Sequence, residues 1–361
     1  MKKIVIIEWG LSAKEVFGIQ RNTKELLRCL DNIVDPGQVE MLIPIREEDN
    51  YGFKNIKVTK TGLKIQHLGD IGYRIERYIY KNWFTKRHIG REEALSVDLL
   101  LQFPIYGCDV ISIYDCIPEL FPEHYSSKVR KKQRRKILKH QSMAVNKAKL
   151  ILTDSYDAKE DIMKFYGVED KKIQVIPCGW QHFNRIEEDS SIIQRLNLQN
   201  EEFFFSLGSR LPHKNIKWIS YAAKKNPNYK FVISGSARTN LSFEFEGEKL
   251  PNMIFAGYLS DGEVKALMKR CKAFIQPSLY EGFGIPPMEA MSVGADCIVS
   301  DRASLPEVYK NSVWYINPED YENVDVDVIM SYPKENNDLI LNEYSWEKSA
   351  RKLLDILSQL K

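Results

Sequence analysis

The chain has 361 residues and a mass of 42.0 kDa, with 43% hydrophobic, 11% aromatic and 28% charged residues and a formal net charge of +3. That composition belongs to an ordinary globular protein and excludes a disordered chain, a collagen and a disulfide-stapled miniprotein, while the length suits two domains better than one. No apolar run approaches the roughly 18 residues that span a bilayer, and Ile4–Ile7 after Lys2 and Lys3 is too short for a signal-peptide core, so a cytoplasmic protein is expected.

Ile4–Glu8 reads as a first strand, followed by a glycine-containing loop and a helix near Gln20–Leu30. Val39–Ile43 and Asp109–Tyr114 are further strands, and Lys149–Thr153 and Ile173–Ile176 bracket a helix capped by Ser155 or Asp157. Short β-branched runs alternating with helical stretches imply a parallel sheet with crossover helices. Residues 178–200 are polar and poor in strand signals, which places a hinge there. The pattern then restarts with strands at Phe203–Leu207, Lys230–Ser234, Phe274–Gln276 and Cys297–Ser300. Ser260 with Glu263 three residues on is a capping box that opens a helix through Arg270. Trp346, Ala350, Leu353, Leu354 and Leu357 make a helical apolar stripe at the chain end, which needs a surface to cover. The expected architecture is α/β, with two doubly wound domains facing across a cleft: residues 1–178, a linker 179–200, residues 201–344, and a terminal helix 345–361.

The chemistry concentrates in Pro277–Met291 (P-S-L-Y-E-G-F-G-I-P-P-M-E-A-M). A strand end, two glycines and two prolines at a helix start leave backbone N–H groups from Gly282 through Phe283 and Gly284 to Ile285 for an anion, reinforced by the helix dipole. Glu281 and Glu289 flank that site eight positions apart and would repel a phosphate, so their partners are hydroxyls, a sugar on one side and a ribose on the other. The expected ligand is a nucleotide diphosphate sugar.

This string closely resembles the signature of the retaining GT-B glycosyltransferases of glycosyltransferase family 4, the group 1 enzymes, most of all those that build bacterial surface polysaccharides. Ile151–Ser155, Val175–Gly179, Phe203–Asn215, Ser304–Val308 and Asn317-Pro318 extend the resemblance over most of the chain, whereas residues 45–105 match poorly. The resemblance implies transfer of a hexose-type sugar to a glycan or lipid-linked acceptor with retained anomeric configuration, without metal or cofactor. Lys214, with Arg210, would neutralise the leaving diphosphate, beside Gly208. Glu281 would hold sugar hydroxyls and Glu289 the ribose, while Tyr258 and Leu259 take base contacts by position. On the acceptor side the resemblance points to Gly18, to Tyr114, which stands where relatives have a histidine, and to Asp115, which either orients a substrate or caps a turn. It also implies that the terminal helix crosses back onto the first domain. Asp325-Val326-Asp327 has metal-motif spacing without the surrounding strand and is read as non-functional. A reading of a different class is a non-catalytic sugar-nucleotide or glycan-binding subunit; a third, also enzymatic, is another GT-B activity such as a sugar-nucleotide epimerase or a phosphorylase.

Six cysteines without C-x-x-C spacing read as small buried hydrophobes. Residues 1–178 hold 31 Lys+Arg against 24 Asp+Glu, and the remainder 21 against 25. The excess gathers in residues 128–139, with eight basic residues in twelve, and in 73–91, where six cations interleave with Tyr73, Tyr78, Tyr80, Trp83 and Phe84. Such segments are solvated helix faces over an aromatic core, or peripheral contacts with an anionic membrane at its inner face; no nucleic-acid motif accompanies them.

Overall fold

The computed structural model describes residues 2–8, 18–45, 47, 51–63, 69–100, 107–208, 211–235 and 250–360. Two compact units emerge. One comprises residues 1–154, 159–178 and 346–361, the other residues 155–158 and 179–345.

The first unit is built on seven parallel strands, β1 (Ile4–Ile7), β2 (Val39–Pro44), β3 (Lys57–Thr61), β4 (Leu95–Asp98), β5 (Val110–Ser112), β6 (Leu150–Thr153) and β7 (Ile173–Val175), in the order 3-2-1-4-5-6-7. Alternation along β1 shows why both faces must be covered. Ile4 and Ile6 join one core, with Leu26, Leu27 and Leu30 of the helix Gly18–Asp31, and Val5 and Ile7 join the opposite core, with Ala144, Val145 and Ile162. The terminal helix Trp346–Gln359 belongs to this unit: Ala350, Leu353 and Leu357 complete the first core, and Ser349 donates to the Pro177 carbonyl at 2.5 Å. Ser155 Oγ accepts from the Ala158 N–H at 3.1 Å, so Ser155 caps the helix Tyr156–Tyr166.

The second unit has six parallel strands, β8 (Phe203–Leu207), β9 (Lys230–Ser234), β10 (Met253–Gly257), β11 (Ala273–Gln276), β12 (Cys297–Ser300) and β13 (Trp314–Ile316), in the order 10-9-8-11-12-13. Residues 179–200, read from sequence as a linker, belong to this unit and bury Phe183, Ile192, Ile193 and Leu198. The capping box of Ser260 and Glu263 opens the helix Asp261–Arg270. Chain progression reverses between β8 and β11, which is where a doubly wound sheet opens a crevice at its strand ends.

The basic stretch 128–139 lies on the helix Lys128–Lys147, with Lys128, Lys131, Lys132, Arg135, Lys136 and Lys139 exposed. Residues 73–91 form helical turns in which Tyr78 and Trp83 are exposed, while the side chains of Tyr73, Arg74, Arg77 and Lys81 lie outside the described ones. Tyr80 takes the aromatic-core side of the two readings of this segment: it is fully buried, its hydroxyl 2.8 Å from the Leu42 carbonyl, because it sits on the inward face of those turns. Five of the cysteines are buried and Cys29 is half-buried, all unbridged. No helix among the described residues is long and apolar enough to cross a membrane.

Candidate active site

At the ends of β8, β9 and β11 a small, open recess is lined by Ser206–Gly208, Ile233, Ser234 and Gln276–Ser278, with Lys214 and Ile216. Lys214 closes the short turn Pro212–Lys214 because Asn215 follows it in the left-handed region, with φ of 51°. The Asn215 side-chain amide donates to the carbonyls of Pro277 at 3.0 Å and Pro318 at 2.8 Å, and the Leu279 N–H donates to the His213 carbonyl at 2.7 Å. These bonds tie the turn to the loop after β11 and bring Lys214 to Glu281.

The Lys214 Nζ donates to both oxygens of Glu281, at 2.7 Å each, and Ser278 Oγ donates to Oε1 at 2.6 Å. An ammonium has three hydrogens and a carboxylate about four acceptor positions. One N–H of Lys214 and one acceptor position of Glu281 therefore remain for a ligand, on a lysine side chain 26% exposed and a glutamate side chain 11% exposed. Ser304 Oγ donates to the Glu281 carbonyl at 2.9 Å and Ser155 Oγ to that of Gly282 at 2.5 Å, which fixes the loop backbone.

Gly284 precedes the helix Ile285–Ser292 with φ of 81°, and a Cβ there would lie 2.7 Å from Leu305 Cδ2. Glycine is thus required both by backbone conformation and by space. The helix itself adds little to the backbone N–H groups of residues 282–285 at this start. Pro286 and Pro287 have no N–H, and the Met288 N–H donates to the Tyr309 hydroxyl at 3.1 Å, which itself donates to the Gly284 carbonyl. Within the first turn, Ile285 keeps its N–H. Phe283 is buried, its ring edge-on to Tyr344 with centroids 5.5 Å apart, so its side chain packs the loop.

Glu289, one turn deeper in the helix, is buried, and His182 Nε2 lies 2.7 Å from its Oε1. His182 has no sequence signal of its own as a partner, since the two stand 107 positions apart. Beyond β10, Tyr258 is 71% exposed and Leu259 is buried. Arg210 lies outside the described residues.

The acceptor-side candidates lie in the first unit. Tyr114 is a core residue, its hydroxyl donating to the Leu99 carbonyl at 2.9 Å, because the position continues the buried β5 strand. Burial raises its pKa well above the ordinary phenol value. Asp115 Oδ1 accepts from the Ile117 N–H at 3.1 Å. Gly18 opens its helix at the surface, and a Cβ there would meet nothing within 4 Å. Asp325 caps the helix Val326–Met330 and Asp327 accepts from the Tyr229 hydroxyl, so this pair has structural work.

Residues 188–359 match the family model described as glycosyl transferases group 1. Over 251 residues the chain is 31% identical to the O-antigen chain mannosyltransferase RfbU of Salmonella typhimurium, covering 67% of each protein. The chain belongs to the group 1 glycosyltransferases. The serotype-specific mannosyltransferase WbdA of Escherichia coli is 29% identical over 226 residues, which span 58% of this chain and 27% of that protein. Among solved structures, the sucrose-phosphate synthase of Thermosynechococcus elongatus is similar with a TM-score of 0.71 at 16% identity, covering 99% of both chains. That likeness establishes the GT-B fold. In this glycosyltransferase the family match contains the Lys214–Glu281 pair, the Gly284 turn and the His182-bound Glu289 except for His182 itself, which precedes it.

Proposed function

We propose that this glycosyltransferase moves a hexose, mannose first among the candidates, from a nucleotide diphosphate sugar to a glycan or lipid-linked acceptor in bacterial surface-polysaccharide assembly, with retention of anomeric configuration. The single observation that carries the reading is the Lys214–Glu281 pair beside the recess that Lys214 and Ser278 line, with one N–H left for a phosphate oxygen and one acceptor position left for a sugar hydroxyl. The mannosyltransferase relatives favour the sugar and the pathway class.

The acceptor hydroxyl attacks the anomeric carbon on the face from which the diphosphate leaves. The carbon–oxygen bond to the diphosphate breaks, the new glycosidic bond forms, and the acceptor proton passes to a leaving phosphate oxygen. Lys214 and the Ile285 N–H stabilise the charge growing on the diphosphate, which is the role of a preorganised cation and needs no metal. Glu281 holds a hydroxyl of the transferred ring and Glu289, steadied by His182, a ribose hydroxyl. Tyr258, exposed beyond β10, offers its ring to the base.

The six exposed cations of residues 128–139 have no carboxylate partner among the described residues, which supports peripheral contact with an anionic membrane face. Co-sedimentation with anionic but not neutral vesicles tests this contact. A thermal-shift panel of uridine, guanosine and thymidine diphosphates, followed by acceptor-dependent release of the diphosphate from the matching sugar nucleotide, tests the main reading. One diphosphate is expected to stabilise by about 2.7 kcal/mol at 100-fold its Kd; release that ignores the acceptor would contradict transfer.

A further inference from the structure

Gln276 is the last residue of β11, in a strand otherwise made of Ala273, Phe274 and Ile275. It is 4% exposed, yet neither its Nε2 nor its Oε1 has a hydrogen-bond partner among the described residues. A buried carboxamide in that state is destabilising, and native chains retain such groups where something else satisfies them. The side chain lines the recess together with Lys214 and Ser278, and its Nε2 stands 3.3 Å from where a Cβ on Gly284 would be. It therefore adds a donor at the helix start where Pro286 and Pro287 have removed two and Tyr309 has occupied a third.

We propose that Gln276 is a donor-recognition residue whose carboxamide hydrogen-bonds hydroxyls of the transferred sugar. The chemistry chooses sugar over phosphate. A carboxamide presents donor and acceptor side by side, and phosphate oxygens accept only, which would leave Oε1 without a partner. A sugar hydroxyl both donates and accepts, so one or two neighbouring hydroxyls satisfy the whole group. Gln276 thus reads the sugar from the sheet side of the recess, while Glu281 reads it from the loop. The inference rests on the proposed nucleotide-sugar reading of the same recess.

The test compares wild type with Gln276→Leu, and with the unbranched Gln276→Met should the leucine variant fold poorly. Isothermal titration is run with GDP and GDP-mannose, then UDP and UDP-galactose, to give the affinity with and without the sugar. The expected result is a loss of about tenfold for the sugar nucleotide, the 1.4 kcal/mol scale of one hydrogen bond, with the bare diphosphate changed less than about twofold. The ligand-free melting temperature is expected to hold or rise, since the substitution removes a buried unpaired amide. Equal weakening of sugar nucleotide and bare diphosphate, or a fall in melting temperature with sugar affinity intact, overturns the proposal. If wild type binds one of these donors and the variants match it, this inference falls alone; if wild type binds none, the nucleotide-sugar reading falls with it.

Discussion

Replacing Lys214 by Met removes the ammonium while keeping the aliphatic stem that packs beside Gly208, where a Cβ would lie 3.7 Å from Lys214 Cδ. Breaking a fully buried ion pair costs about 3–5 kcal/mol, and an exposed one about 0–1. With side chains 26% and 11% exposed, and with Ser278 still donating to Glu281, the loss should be about 1–2 kcal/mol. Catalysis should suffer more, because Lys214 acts on charge that develops only as the diphosphate leaves; loss of one such donor costs about 10²–10³ in kcat. Urea unfolding monitored by tryptophan fluorescence, alongside steady-state turnover at saturating donor, separates the two effects. A fall in kcat below about tenfold, with stability lost by more than about 4 kcal/mol, would refute the reasoning, since Lys214 would then be a structural cation.

Glu289→Gln keeps a hydrogen-bonding partner for His182 and should raise donor KM about tenfold with kcat nearly intact, whereas Glu281→Gln should lower kcat; steady-state kinetics with the same donor would contradict the assignment if both changed KM alone. Glu40 is buried in the first unit, where burial raises its pKa but Lys3, Thr59 and His88 outweigh that and hold it at about 2, below its ordinary 4.5. The depressed value means that its contribution is complete above pH 4.5 and lost as pH falls from 4.5 towards 2, about 3 kcal/mol in all. Unfolding free energies at pH 5 and pH 3 should differ less in Glu40→Gln than in wild type, and an unchanged difference would remove Glu40 as the cause. Leu353→Ala in the terminal helix should cost about 2–5 kcal/mol, because Leu353 is fully buried in the core shared with Leu26 and Leu30; a loss under about 1 kcal/mol would mean that the helix carries no core weight.

Much of the second unit was legible in sequence because its central strands are continuous apolar runs, as in Phe203–Leu207 and Cys297–Ser300. Strands of the margins were missed for a physical reason. Lys57–Thr61 pairs on one side only and reads K-V-T-K-T, with no apolar run to mark it. The site divides the same way. Glu281, Gly284 and Glu289 share one loop and helix, so local chemistry points to them. The Lys214–Glu281 bond spans 67 positions and the His182–Glu289 bond 107, and only the fold brings these partners together. Gln276 looked like the end of a strand, because a buried polar group without a partner is visible only once its neighbours are placed. Tyr80 sides with the aromatic-core alternative for residues 73–91, a choice that only its placed neighbours make visible.

The central claim, hexose transfer from a nucleotide sugar with retention at the Lys214–Glu281 recess, is tested most directly by proton NMR of the anomeric signal in freshly formed product. The predicted spectrum shows the new glycosidic linkage with the same anomeric configuration as the donor, in wild type and, far more slowly, in Lys214→Met. An inverted anomeric signal, or no glycosidic product from any nucleotide sugar that binds, would contradict it.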